Sequence, residues 1–156
     1  MNIYFAAPLF SQAERSFNIE LTHRLEALGF DVFLPQRDGV EADKPPYDTM
    51  SKEERRRAMF ELDRDKIIAS DIFLFILDGR VPDEGAAVEL GIAYMASLEQ
   101  PKKIVGFHSD DRAAFMGAKL NPMLYVPLKI VVDNEIDLIN YLVGDERLGS
   151  RFTGVS

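Results

Sequence analysis

Short apolar segments of strand length alternate along the chain with longer segments whose apolar residues recur at helical spacing. The strand-like segments lie at 3–7, 31–34, 72–77, 103–107 and 128–132, and the helix-like segments lie at 11–28, 51–69, 85–98 and 137–143. The segment at 72–77 has six consecutive apolar residues, which is typical of a central parallel strand covered on both faces. The alternation predicts a parallel sheet with helices on both faces.

We find no internal repeat or composition shift, so residues 1–156 are predicted to form a single α/β domain. Its predicted architecture is a doubly wound, flavodoxin-like, five-stranded parallel sheet, in which ligands bind at the carboxyl ends of the strands. Residues 35–49 are rich in Pro, Gly and Asp and predict the longest loop, and the last residues, about 145–156, predict a tail.

The charge and composition of the chain exclude several classes of partner and of metal site. Eighteen Lys and Arg against 26 Asp and Glu give a formal net charge of −8, which argues against nucleic acid or an anionic membrane as a partner. The lack of cysteine excludes disulfides and thiolate metal sites, and only two histidines are present.

No signal peptide or membrane-length apolar run is found, so we expect a soluble, cytoplasmic protein that needs no metal or cofactor. Residues 6–11 contain no glycine for a phosphate-binding turn.

Glu89 is the only charged residue in the apolar helical segment 85–98. A helix that is apolar all round is predicted to be buried, and a lone carboxylate in it must be paired, protonated or directed at a cavity. Gly85 and Ala86, one turn earlier, leave open space above it. We interpret Glu89 as a nucleophile or base in a pocket. The alternative is a buried glutamate satisfied by backbone donors.

Asp63 interrupts an apolar stripe formed by Met59, Phe60 and Ile67 on the second predicted helix. A carboxylate at the centre of a core-facing stripe is either a buried cap for a neighbouring loop or an acid in a pocket.

Asp83 lies in the loop that follows the predicted central strand, six residues before Glu89. It is a candidate N-cap of the next helix. Because that loop is at the carboxyl edge of the sheet, Asp83 is also a candidate ligand-binding acid at the same opening as Glu89.

Four elements together resemble the nucleoside 2-deoxyribosyltransferases, small doubly wound enzymes that move 2-deoxyribose between nucleobases. They are Ile3-Tyr4-Phe5-Ala6-Ala7, Asp63 eight residues before Asp71-Ile72, Asp83 six residues before Glu89 within Val88-Glu89-Leu90-Gly91-Ile92-Ala93, and Asn121 before the last strand. The resemblance spans residues 3 to about 125. It implies a deoxynucleoside and a free nucleobase as substrates and no cofactor.

The resemblance also implies roles for individual residues. Glu89 would be the nucleophile and Tyr4 the residue that orients it, while Asp63 and Asp83 would hold and protonate the base. Phe10 matches an aromatic residue that stacks near the base, and Gln36 and Gly85 complete the predicted substrate contacts. Asn121, supplied by a neighbouring subunit, would bind the sugar 5′-hydroxyl. We therefore expect at least a homodimer with composite sites, and the apolar segment 116–124 agrees with a covered surface.

Two alternatives remain. A nucleoside 5′-monophosphate N-glycosidase would use water as acceptor, but it needs a phosphate pocket that the turn Ala6-Ala7-Pro8 does not offer. A non-catalytic nucleotide-binding module of the same fold would use Asp63 and Asp83 only to bind base edges, which leaves Glu89 unexplained.

Overall fold

The computed structural model describes residues 1–79, 81–110 and 120–144. These residues contain a sheet of five parallel strands in the order β2-β1-β3-β4-β5, as the sequence predicts. The strands are β1 (Asn2–Ala6), β2 (Asp31–Phe33), β3 (Ile72–Ile76), β4 (Lys103–Phe107) and β5 (Ile130–Val132). The predicted tail at about 145–156 lies outside the described residues.

In the described residues, four longer helices connect or follow the strands: α1 (Gln12–Ala27), α3 (Lys52–Ala69), α4 (Glu84–Ser97) and α6 (Glu135–Val143). Two short helices, α2 (Pro35–Asp38) and α5 (Pro122–Tyr125), and a 3₁₀ turn at Tyr47–Thr49 lie between them. Ser51 and Glu54 cap the start of α3 through reciprocal hydrogen bonds, because each satisfies a backbone N–H that the helix leaves free. The prediction of a continuous loop at 35–49 is wrong at α2, where Pro35 has the φ that a first helical turn needs.

The helices cover both faces of the sheet. On one face α1 and α6 contribute Leu21, Leu25, Leu138 and Leu142 to a core that includes Ile3 and Phe5 of β1. On the other face α3 and α4 contribute Ile67, Ala86, Leu90 and Ala93 to a second core that includes Tyr4 and Ala6. Because successive side chains of a strand point to opposite faces, β1 directs Tyr4 toward α3 and α4. None of the described helices combines the length and hydropathy needed to span a bilayer.

The prediction that α4 is buried all round is wrong. One side of α4 packs on the sheet and on α3 through Ala86, Leu90 and Ala93. On its other side, Val88 and Met95 are each 62% exposed. Among the described elements, α4 packs against the sheet on one side and against α3 on another. Its apolar composition therefore leaves an apolar strip that the described residues do not cover.

The predicted core-facing stripe of α3 is also wrong in part. Ile67 is fully buried, but Met59 and Phe60 are exposed. Phe60 lies in a groove of about 730 Å³ between α3 and α4, together with Ile68, Val88 and Met95, and none of the described elements covers it.

Lys102 fixes the end of α3. Its Nζ donates to the carbonyl oxygen of Ile67 (2.8 Å), to Ser70 Oγ (3.0 Å) and to the carbonyl oxygen of Ser70. These contacts satisfy carbonyls that a helix end leaves unpaired, and burial lowers the pKa of Lys102. The Lys102 ammonium group therefore anchors the end of α3, the helix that carries Asp63, to the start of β4.

Candidate active site

Tyr4 and Glu89 are hydrogen-bonded at the centre of the candidate site. The Tyr4 hydroxyl donates to Oε1 of Glu89 across 2.8 Å. Tyr4 lies in the middle of β1 with none of its surface exposed, and Glu89 lies half-buried on the second turn of α4. A phenol fixed in the core thereby holds one oxygen of a carboxylate and leaves the other oxygen to a ligand.

The start of α4 brings Asp83 and Gly85 to the same place. The Asp83 side chain accepts a hydrogen bond from the backbone N–H of Ala86 at 2.8 Å, so its predicted role as N-cap is confirmed. A Cβ on Gly85 would come within 3.1 Å of Asp83 Oδ2, which shows how closely the chain passes the cap. The negative charge of Asp83 also raises the pKa of Glu89, because a nearby like charge disfavours the ionised carboxylate.

Asp63 approaches the pair from α3. It is half-buried, burial raises its pKa, the nearby Tyr4 hydroxyl opposes that rise, and its charge raises the pKa of Glu89. Tyr4 therefore lies between the two acids, one supplied by each helix. The polar neighbours of Asp63 belong to this cluster, and its role as an acid in a pocket stays a prediction.

Burial dominates the protonation of this cluster. It raises the pKa of Glu89 from 4.5 to about 7 and that of Asp63 from 3.8 to about 6, and the Tyr4 hydrogen bond opposes both shifts. Burial and the two carboxylate charges also raise the pKa of Tyr4, which stays a proton donor. Midway between these two pKa values the carboxyl groups share about one proton, which resides mainly on Glu89, the group with the higher pKa. The minor form of the pair, with Glu89 ionised and Asp63 protonated, can supply a nucleophile and a neutral acid to one substrate.

The connection between β1 and α1 forms one rim of the carboxyl edge. Phe10 is 75% exposed there, and its backbone N–H and that of Ser11 donate to Oε2 of Glu14 at 2.9 and 2.7 Å. The backbone N–H groups of Phe10 and Ser11, which precede α1, are thus occupied by a carboxylate of the chain itself, and the Ser11 N–H is the main reason that the pKa of Glu14 is low.

Gln36 is held against α1. Its Nε2 donates to the carbonyl oxygen of Arg15 at 3.0 Å, and its Oε1 accepts from Nδ2 of Asn18 at 2.9 Å. The same Asn18 amide donates to the carbonyl oxygen of Pro8 at 3.0 Å. Sequence reasoning missed Asn18, a buried polar residue next to Phe17 and in register with Leu21 on a helix face, which is the signal that could have identified it.

Asn121 has a local role on this chain. Its Oδ1 accepts from the backbone N–H of Met123 at 2.9 Å and so caps α5, and the residue is exposed. Within the part of the chain described here, the titratable groups that shift the pKa of Glu89 are Tyr4, Asp63 and Asp83. The structure therefore brings five predicted site residues together, which are Tyr4, Asp63, Asp83, Gly85 and Glu89. The contacts described above for Phe10, Gln36 and Asn121 are with other residues.

Asp78 joins two loops at the carboxyl edge, and the sequence analysis did not identify it. Its carboxylate accepts from Oγ of Ser109 (2.6 Å) and from the backbone N–H of Asp110 (2.9 Å). In return the backbone N–H of Gly79 donates to Asp110 at 3.3 Å. Because the same loop leads to Asp83, this connection holds the start of α4 in place.

Comparison with known proteins identifies the family. The sequence profile of the family described as nucleoside 2-deoxyribosyltransferase matches residues 3–142. No curated protein matches the sequence.

Three of the solved structures that match this chain show the extent of the similarity. A conserved protein from Enterococcus faecalis V583 is 28% identical, with 92% of this chain and 98% of that chain covered and a TM-score of 0.71. A 2-deoxyribosyltransferase from Bacillus psychrosaccharolyticus is 26% identical, with 90% and 92% covered and a TM-score of 0.73. A CMP N-glycosidase from Clostridium botulinum is 19% identical, with 92% and 98% covered and a TM-score of 0.56, which shows a common fold alone.

The profile covers most of the chain, including Tyr4, Asp63, Asp83 and Glu89. Family and fold together indicate deoxyribosyl transfer or a related N-glycosidase activity. This chain is an enzyme that belongs to the nucleoside 2-deoxyribosyltransferase family.

Proposed function

We propose that the enzyme transfers 2-deoxyribose from a deoxynucleoside to a second nucleobase by a retaining double displacement on Glu89. The observation that carries this proposal is the half-buried Glu89 carboxylate, fixed at 2.8 Å by a fully buried Tyr4 and flanked by Asp63 and Asp83. A carboxylate beneath C1′ stabilises an oxocarbenium-like transition state and then bonds to it, which divides one substitution into two.

In the first half-reaction the free oxygen of Glu89 bonds to C1′ as the bond from C1′ to the base nitrogen breaks. The electron pair of that bond goes to the leaving base, which takes a proton from Asp63. The raised pKa of Asp63, about 6, makes a neutral acid available for this step. The products are a deoxyribosyl ester of Glu89, a free base and an ionised Asp63.

In the second half-reaction a nitrogen of the incoming base attacks C1′ from the face that the first base left. The ester bond breaks, its electron pair returns to Glu89, and Asp63 takes a proton from the attacking nitrogen. Tyr4 donates to Glu89 in both halves and so orients the carboxylate as its charge disappears and returns. Two inversions at C1′ give net retention.

The remaining predicted contacts complete the substrate site in this proposal. Asp83 binds the base edge from the start of α4, and Phe10, which is exposed at the rim, stacks on the base. Gly85 contacts the substrate from the start of α4, where a Cβ would lie 3.1 Å from Asp83 Oδ2, and Gln36 supports the rim through its contacts with α1. Asn121 of a neighbouring subunit binds the 5′-hydroxyl.

The charges at the carboxyl edge favour a nucleoside over a nucleotide. A recess of about 340 Å³ beside the ends of β1 and β3 is lined by Glu14, Asp78 and Asp110, and no described Lys or Arg lines it. Arg80 lies outside the described residues. Since the backbone N–H groups of Phe10 and Ser11 already bind Glu14, the described residues of this rim offer a 5′-phosphate few of the donors that anion sites use.

An uncovered apolar surface supports a homo-oligomer. Phe60, Ile68, Val88 and Met95 line the groove between α3 and α4, and all four are exposed on this chain. Soluble monomers rarely leave such a surface open to water. We propose at least a homodimer whose sites receive Asn121 from a neighbour.

Incubation of the purified protein with a deoxynucleoside and a different free base, followed by chromatography, tests the proposed function. A new deoxynucleoside supports transfer, whereas free deoxyribose without a new nucleoside supports an N-glycosidase. If a 5′-monophosphate is cleaved and the nucleoside is not, the nucleotide hydrolase is correct. If no substrate is consumed, the chain only binds its ligand.

A further inference from the structure

Three aromatic rings lie side by side beneath the candidate site. Phe33 of β2 and Phe73 of β3 are the direct register partners of Tyr4 on its two sides. The Tyr4 ring stacks on Phe33 at 5.6 Å between centroids and 21° between planes, and on Phe73 at 5.8 Å and 4°. Tyr4 is thus enclosed on both ring faces by side chains from its two neighbouring strands.

The outer end of this stack carries a cation. Nζ of Lys66, on α3, lies 5.3 Å from the centroid of Phe33, within the range of a cation–π contact. At the other end, Phe75 meets the edge of Phe73 at 6.4 Å and 70°. The ring of Phe33 is therefore held between Lys66 and Tyr4, and that of Phe73 between Tyr4 and Phe75.

The stack limits how the Tyr4 hydroxyl can move. A tyrosine hydroxyl lies in the plane of its ring, so rotation of the ring about χ1 or tilt of its plane displaces the oxygen. Flanking rings at stacking distance oppose both motions. The hydroxyl in turn holds Oε1 of Glu89, a side chain with three rotatable bonds. Stacking and carboxylate orientation are therefore linked through one hydrogen bond.

We infer that Phe33 and Phe73 are positioning residues, which clamp the Tyr4 ring so that its hydroxyl sets the orientation of the Glu89 carboxylate. This inference rests on the proposed function for its kinetic consequences. Neither phenylalanine needs to touch substrate. Without a clamp on one side, the Tyr4 hydroxyl samples positions in which its bond to Glu89 is longer or absent. Nucleophilic attack then starts from a less aligned carboxylate.

Phe33→Leu tests the inference, since Phe33 is half-buried and its loss leaves the fully buried Phe73 in place. We expect kcat to fall about tenfold with KM within about twofold, because orientation in the transition state is lost while binding is kept. The conservative variant Phe33→Tyr retains the ring, so its kcat should stay within about twofold of wild type.

The pKa of Glu89 supplies a readout that a loss of stability would not move. Burial raises this pKa most, Tyr4 on β1 lowers it, and Asp63 on α3 and Asp83 at the start of α4 raise it. Weakening the Tyr4 bond therefore raises the pKa of Glu89 further, in the direction expected for Tyr4→Phe. In the Tyr4→Phe background, Phe33→Leu should have no further effect on that pKa or on kcat.

Phe17→Leu is the matched control. Phe17 is also half-buried and stacks on Phe107 at 5.8 Å and 29°, but on the opposite face of the sheet. We expect a similar loss of thermal stability and no change in the pKa of Glu89. If Phe33→Leu does not fold, Phe73→Leu makes the same test from the other side of Tyr4.

An NMR titration of the Glu89 side-chain carboxyl carbon separates this inference from the proposed function. If the wild-type enzyme does not transfer deoxyribose between bases, the proposed function is wrong. The titration still reports whether Phe33→Leu raises the pKa of Glu89. An unchanged pKa in Phe33→Leu, or an effect that adds fully to that of Tyr4→Phe, overturns the inference.

Discussion

Tyr4 and Glu89 are 85 positions apart in the sequence, and a hydrogen bond of 2.8 Å joins them. One belongs to the first strand and the other to the helix that follows the third. Strand order makes the pairing possible, because β1 and β3 are neighbours and α4 returns across the face to which Tyr4 points. The nucleophile and its orienting group thus come from two elements that the sheet places side by side.

Glu89→Gln should abolish base exchange while the protein stays folded. The amide has the shape of the carboxylate but cannot form the ester, so we expect exchange to fall at least about a thousandfold. Chromatography of the exchange reaction measures the loss, and circular dichroism checks the fold. Glu61→Gln, which removes an exposed carboxylate on α3, is the control and should keep full activity. Exchange above a few per cent in Glu89→Gln would contradict the proposed nucleophile.

The same Glu89→Gln variant should be more stable than wild type at pH 8. Folding raises the pKa of Glu89 from 4.5 to about 7, so the folded state holds a proton that the unfolded state has lost between these values. Stability is therefore fully present below pH 4.5 and falls as pH rises through about 7. Removing the charge should recover about 2 kcal/mol at pH 8 and almost nothing at pH 4.5, as urea unfolding measures. Equal gains at both pH values would disagree with this prediction.

Exchange should follow a bell-shaped pH profile. The reaction needs Glu89 ionised and Asp63 protonated, which is a minor form of the pair because Glu89 has the higher pKa. The fraction in this form rises with pH up to the lower of the two pKa values and falls above the higher one. With pKa values of about 7 and about 6, we expect the maximum between them and apparent limbs that belong to the coupled pair.

Asp63→Asn should remove the alkaline limb of that profile and slow the reaction of ordinary deoxynucleosides. Cleavage of 4-nitrophenyl 2-deoxyriboside should be much less affected, because its phenolate leaves without a proton. Equal losses for both substrates would mean that Asp63 does not act as the proton donor.

Lys102→Met should destabilise the fold by about 2–4 kcal/mol, because several carbonyl oxygens at the end of α3 lose their donor. The apolar stem of methionine fills most of the space, so lost packing contributes little. Lys103→Met is the control, since Lys103 makes a single cation–π contact with Tyr141 and should cost under about 1 kcal/mol. Thermal and urea unfolding compare the two, and equal losses would argue against the anchoring role of Lys102.

A mixture of Glu89→Gln and Asn121→Ala proteins should regain activity that neither has alone. In a mixed dimer one site combines an intact Glu89 with an intact Asn121, so random pairing restores about a quarter of the wild-type sites. Exchange assays after subunit mixing measure the gain, and light scattering gives the oligomeric state. A fully active monomer at micromolar concentration would rule out composite sites.

The sequence by itself determined the order and type of the main elements. The unbroken apolar run at 72–77 predicts a central strand, and β3 is fully buried between both helical layers. Local signals sufficed because a strand covered on both faces needs apolar residues throughout, and a helix start needs a cap such as Ser51. The lone acid Glu89 was equally visible, since carboxylates seldom occur in apolar helices without a partner.

Only the tertiary structure decided how the residues meet. The register of β1 with β2 and β3 sets Phe33 and Phe73 beside Tyr4, and no local pattern fixes that register. Likewise, the exposed side of α4 depends on how many layers cover it, and the sequence pattern predicted complete burial. Composition records that a helix is apolar, but only packing determines which of its sides has a neighbour on the same chain.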